Sequence, residues 1–97
     1  MLDPRYDTVL AVAEKKNFTR AAEALSLTQP AVSHHITQLE QELGVKLFIR
    51  CKNEIRLTPQ GEIVVKYAKR FHAMSEKMYT EISNAERRLT NLRIGIT

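Results

Sequence analysis

The sequence predicts a mainly α fold: three short helices and a β-hairpin, followed by one long helix. Three observations carry that prediction. Apolar residues recur at helical spacing in four stretches, and three of these open with a capping residue and a nearby proline (Asp3-Pro4, Thr28-Gln29-Pro30, Thr58-Pro59). Two short β-prone runs, LFIR and IRLT, flank a polar tip, CKNE. Beyond Thr58 the helical pattern continues past Gly61 to about Leu89 without a breaker.

The elements follow in order. Asp3 caps the first helix and Pro4 takes its first position, where a missing N–H costs nothing; Tyr6, Val9, Leu10 and Ala13 form its apolar stripe. Lys15 and Lys16 suit the negative end of that helix. Asn17-Phe18 breaks the run, and Thr19 is read as the cap of a second helix, Arg20 to Leu25, whose Ala21, Ala22 and Ala24 permit close packing. After the tight turn Ser26-Leu27, Thr28 caps a third helix that ends at Gly44, the residue best able to take a left-handed conformation. Val32, Ile36, Leu39 and Leu43 form its buried stripe, leaving Pro30, Ser33, His34, Thr37 and Gln41 on the opposite side. The hairpin is expected to have a loop of about four residues, with Leu47, Phe48, Ile55 and Leu57 as anchors and Arg50 and Arg56 facing out. The long helix would extend roughly 45 Å, too far for a small domain to cover. The closing LRIGIT alternates and is read as a β-strand.

Composition bounds the function. The chain has 97 residues, 43% hydrophobic and 27% charged, as an ordinary globular domain with an extension would. Its net charge is +4, and the charge is unevenly placed. Lys46, Arg50, Lys52, Arg56, Lys66, Lys69 and Arg70 face only Glu54 and Glu62 across that stretch, whereas residues 1–44 are slightly acidic. Such a basic concentration suits a polyanionic partner. A single cysteine, Cys51, excludes an intrachain disulfide, and a redox role for it has only Lys52 beside it as support. The absence of a signal-peptide pattern or of an apolar run near ~20 residues makes cytoplasm the expected compartment. No nucleophile–base pattern, phosphate-binding glycine loop or paired carboxylates point to an enzyme. His34 and His35, adjacent on a helix, point to different faces, so no metal site and no cofactor are expected.

Two short helices joined by a tight turn, the second with small polar residues outward, meet the requirements of a helix-turn-helix over about residues 18–37. A major groove ~12 Å wide admits one helix whose groove-facing side chains are not bulky. Ser33 and Thr37 are short hydrogen-bonding groups, Pro30 and Ala31 can meet a thymine methyl, and Gln29 can pair with adenine. A basic hairpin immediately afterwards makes the unit a winged helix.

The stretch FTRAAEALSLTQPAVSHHITQLEQELGVKLFIR, followed by RLTPQG, resembles the signature of LysR-type transcriptional regulators, and the similarity covers residues 1–90. The resemblance implies a dimeric or tetrameric bacterial regulator of transcription. It implies residues 1–58 as the DNA-binding domain, 59–90 as a linker and dimerisation helix, and 91–97 as the first strand of an inducer-binding domain outside this sequence. By position, Thr28, Gln29, Pro30, Ala31 and Ser33 match DNA-facing residues of the family, with Arg50, Lys52 and Asn53 in the wing. His34 and Thr37 join that set. His34 stands where the family very often has Arg, which removes a bidentate guanine contact. Asn53 stands where a wing Arg is common, and Lys52 can supply the charge instead.

The long helix carries a second apolar stripe. Ile63, Tyr67, Phe71, Met74, Met78, Ile82, Ala85, Leu89 and Leu92 are spaced at three or four residues and run nearly straight along it. A rod this long outruns its own domain, so Ile63, Tyr67, Phe71, Met74, Met78 and Ile82 are expected to meet a second copy; the resemblance implies an antiparallel pair. The competing reading is a basic adaptor helix for protein or anionic membrane, against which Glu76 and Glu81 stand among Lys66, Lys69 and Lys77.

Overall fold

A computed structural model describes residues 3–96, with side chains through residue 87. The element order is α1 (Pro4–Lys15), α2 (Phe18–Leu25), α3 (Gln29–Leu43), β1 (Phe48–Cys51), β2 (Glu54–Leu57) and α4 (Pro59–Ile96). The fold is a winged helix-turn-helix with a projecting rod, and its extents are 67 × 24 × 19 Å. At ~1.5 Å per residue the 38-residue α4 accounts for about 57 Å, most of that long axis.

Local chemistry sets the boundaries. The Asp3 carboxylate accepts from the Arg5 N–H at 2.9 Å, and Pro4 opens α1. α1 closes on Lys16 in the left-handed conformation, its N–H reaching the Val12 carbonyl at 2.8 Å. α2 begins two residues earlier than expected. Asn17, not Thr19, is its cap, accepting from the Arg20 N–H at 2.9 Å. Starting there turns Phe18 into the core, a larger gain than any alternative cap offers. Thr28 caps α3 through the Ala31 N–H at 3.2 Å, and Gly44, at φ +70°, ends it.

The core is formed by Val9 and Val12 of α1, Phe18, Ala21 and Ala22 of α2, Val32, Ile36 and Leu39 of α3, with Leu47, Phe48 and Val65. Leu43, expected in the same stripe, is 44% exposed because the last turn of α3 outruns this core. That turn is tied down instead by charge: the Arg5 guanidinium donates to both carboxylate oxygens of Glu42, at 2.8 and 2.9 Å. The same guanidinium binds Asp3, and that hydrogen bond holds the Asp3 carboxyl below its usual range.

The hairpin is tighter than expected. Phe48 pairs with Leu57 and Cys51 with Glu54, so the turn is only Lys52-Asn53. The ladder continues through polar residues because a two-residue loop lets their backbone groups pair. Thr58 joins the hairpin to α4. Its hydroxyl donates to the Lys46 carbonyl (2.6 Å) and accepts from the Gly61 N–H (2.9 Å), while its own N–H reaches the Leu47 carbonyl (3.0 Å). The backbone approach is so close that a Cβ on Gly61 would lie 2.1 Å from the Leu47 oxygen.

Residues 91–96, expected as a β-strand, continue α4 instead. A strand needs a neighbour to pair with, whereas adding residues to an existing helix gains one hydrogen bond for each residue fixed. Thr97, and the side chains of Leu89 and Leu92, lie outside the described residues.

Candidate nucleic-acid interface

The outward face of α3 is built by the same periodicity that buries Val32, Ile36 and Leu39. Gln29, Pro30, His34 and Thr37 are exposed, and Ala31 and Ser33 are half-buried beside them. Thr28 begins this face, but its hydroxyl is already engaged in capping. Gln29 and Ser33, one turn apart, are in contact: the Gln29 amide donates to the Ser33 hydroxyl at 3.4 Å. That bond leaves the Ser33 proton available for an acceptor outside the protein. The two histidines separate as their spacing requires. His35 turns inward, its Nδ1 2.8 Å from the hydroxyl of buried Thr8, whereas His34 projects to solvent.

Lys52 and Asn53 occupy the exposed tip of the hairpin, and Cys51 beside them is a free, exposed thiol. Strand alternation turns Arg50 toward the same side as Phe48. There its guanidinium carbon lies 4.7 Å from the centroid of the Phe18 ring. Arg50 is exposed, but it lies over α2 and does not extend freely into solvent. The Phe18 contact was missed from sequence; strand alternation from Phe48 was the signal that could have placed it.

The basic residues of 46–70 are not equivalent. Arg56 is paired with Glu54, which raises its pKa further, and Lys46 lies 3.9 Å from Glu40. Lys66 and Arg70 flank the Tyr67 ring, at 5.6 and 5.1 Å from its centroid. Lys52 pairs with no carboxylate among the described residues.

α4 presents two faces. Gly61, Val65, Ala68 and Ser75 are buried against the domain, a stripe that sequence reasoning did not separate from the outer one. Ile63, Tyr67, Phe71, Met74, Met78 and Ile82 are all exposed. At ~100° per residue the two stripes are centred roughly 100° apart. Phe71 lies between them and touches Tyr6 edge-on, with ring centroids 5.6 Å apart.

Residues 5–62 match the family model described as the bacterial regulatory helix-turn-helix protein, lysR family. The chain belongs to the LysR family. The matched region is that family's helix-turn-helix domain, and it takes in α1, α2, α3, the hairpin and the first residues of α4. The HTH-type transcriptional regulator HdfR of Yersinia enterocolitica is 44% identical over 90 residues, covering 93% of this chain and 30% of that protein. This LysR-family chain thus spans under a third of the length of that curated relative. Two solved DNA complexes share the fold. The BenM DNA-binding domain on catB site 1 DNA has a TM-score of 0.80 and 31% identity, over 82% of this chain and 90% of that one. The CbnR DNA-binding domain complex has a TM-score of 0.81 and 29% identity, over 88% and 98%.

Proposed function

We propose that this LysR-family chain reads a two-fold DNA operator as a homodimer, with α3 in the major groove and the hairpin as a wing on the flanking backbone. The observation that carries the reading is the two-sidedness of α3. Its apolar side is sealed in the core, while Gln29, His34 and Thr37 are exposed and Ser33 is half-buried beside them. Short polar groups there can reach base edges; Lys52 and Arg50 supply charge for phosphate, which positions a protein without reading sequence. With His34 in place of a guanidinium, the paired donor suited to guanine is absent at that position, and specificity rests on Gln29 and Ser33.

Dimerisation is supported by the exposed stripe from Ile63 to Ile82, an apolar seam continuous along the rod. Two copies joined through α4 would hold two recognition helices at a fixed separation, matching a two-fold site. Residues 1–58 then act as the DNA-reading domain and α4 as linker and dimer element. A small-molecule inducer, and tetramer formation, would belong to the longer protein that its relatives' lengths indicate. The cytoplasm is the compartment in which such a regulator meets its operator; among the described residues no helix is long and apolar enough to cross a membrane. Selecting bound duplexes from a random pool tests the reading: a two-fold consensus supports it, and no enrichment above the starting pool contradicts it.

A further inference from the structure

The hairpin and α2 are distant in sequence, yet they meet through a three-part contact of two aromatic rings and a guanidinium. Phe18, 9% exposed at the first position of α2, meets Phe48 edge-on, with centroids 6.3 Å apart and planes at 67°. The Arg50 guanidinium, two residues along β1, covers the same Phe18 ring at 4.7 Å. Among the described residues it forms no ion pair and no hydrogen bond, whereas neighbouring Arg56 is occupied by Glu54. Lys16, Asn17, Asn53 and Glu54 line the same depression, and Glu54 is the carboxylate already committed to Arg56.

We propose that Phe18 is a positioning residue of the DNA interface: its ring holds the Arg50 guanidinium in place and fixes the wing relative to the helix-turn-helix. The proposal rests on the reading that α3 and the wing bind DNA together. A guanidinium held over a ring rather than by a carboxylate keeps its five donors unspent, so it can offer two parallel N–H groups to one phosphate. Stacking removes the search among rotamers that a free arginine must make on binding. It also links the wing to α2, and through α2 to the recognition helix, so a loosened stack displaces the wing without removing any charge. Lysine at position 50 would keep the charge and lose both the planar fork and the stack.

The test compares wild type, Arg50→Lys, Phe18→Leu and the double variant on a mixed-sequence duplex pool over a salt series. Each single variant should bind about threefold to thirtyfold more weakly, the range of a partly desolvated cation–π contact. The log–log salt slope should stay unchanged, because no charge is lost. The double variant should be no weaker than the weaker single one, since either change breaks the same unit. Arg50→Lys binding like wild type, or the two losses multiplying, would overturn the proposal. Should circular dichroism show Phe18→Leu unfolded, Arg50→Lys is compared with Arg50→Ala. A stacked fork makes lysine nearly as damaging as alanine; lysine behaving as wild type overturns it. If wild type itself fails to bind the pool, the DNA reading fails, and this proposal with it.

Discussion

Replacing Met74 and Met78 together by lysine tests the proposed self-association surface separately from the folded domain. The two side chains are 64% and 44% exposed, so a partner could still bury roughly half of each. A fully buried methionine is worth ~1.5–3 kcal/mol, which leaves about 1 kcal/mol or slightly more per residue. Two-fold symmetry doubles the count, so four side chains give a loss of about 5 kcal/mol before the charges are considered. That corresponds to a more than thousandfold weaker dimer, and burying unpaired ammonium groups adds to it. The domain should stay folded, because Val32, Ile36, Leu39 and the inner stripe of Val65 and Ala68 are untouched. Sedimentation equilibrium with circular dichroism decides the matter. The expected result is a helical monomer whose affinity for two-fold sites has collapsed, since one half-site is read without the other. A variant that remains dimeric removes the stripe as the interface. One that unfolds places the stripe in the domain's own core.

Binding should weaken steeply with salt: Arg50, Lys52, Lys66, Lys69 and Arg70 remain after Arg56 and Lys46 are discounted for their carboxylates. At about −0.9 per neutralised phosphate, a titration series should give a log–log slope of −3 or steeper, and a flat line refutes the assignment. Gly61→Ala should destabilise the domain by ~1–3 kcal/mol, because the new Cβ meets the Leu47 backbone carbonyl, which cannot rotate away. A thermal melt unchanged from wild type would contradict that contact. The Asp3 carboxyl is held below its usual value of 3.8 by the Arg5 hydrogen bond, so its contribution is present above that pH and is lost as pH falls through the lower folded value. Asp3→Asn keeps a capping residue, and because the pair is partly exposed it should cost only a degree or two of Tm near neutrality, about the worth of a screened ion pair. That difference should vanish in strong acid; one that persists there assigns the effect to something other than ionisation.

Signals confined to a few adjacent residues were the most legible. Asp3-Pro4, Thr28 with Pro30, and Gly44 each act through their own backbone neighbours, and the helices they bound are where the pattern puts them. Thr19 and Asn17 are both competent caps, and what chose between them was the burial of Phe18, a tertiary fact. Leu43 fits the helical period as well as Leu39 does, but periodicity does not say where the covering element stops. In α4 two stripes share one helix, and apolarity alone selected the outer one. The inner stripe uses Gly61, Ala68 and Ser75, residues chosen for small size where α4 meets the domain. The strand expected at residues 91–96 had alternation but no neighbour to pair with. For the candidate interface, the outward face of α3 follows from its period. Strand alternation places Arg50 on the Phe48 side, but that the Phe18 ring lies beneath it depends on how the hairpin lies against α2.

In the proposed function the outward face of α3 reads base edges while the wing supplies charge. The most direct measurement takes the duplex enriched from a random pool and a scrambled duplex of the same length. Affinities of wild type, Gln29→Ala, Ser33→Ala and Lys52→Ala are then compared on both. Base-edge contacts discriminate by ~1–3 kcal/mol, so the Gln29 and Ser33 variants should lose about tenfold to a hundredfold on the enriched duplex and little on the scrambled one. Lys52→Ala should weaken both duplexes alike, with a shallower salt slope. Equal losses on the two duplexes for Gln29→Ala and Ser33→Ala would contradict the account, because α3 would then be gripping DNA without reading it.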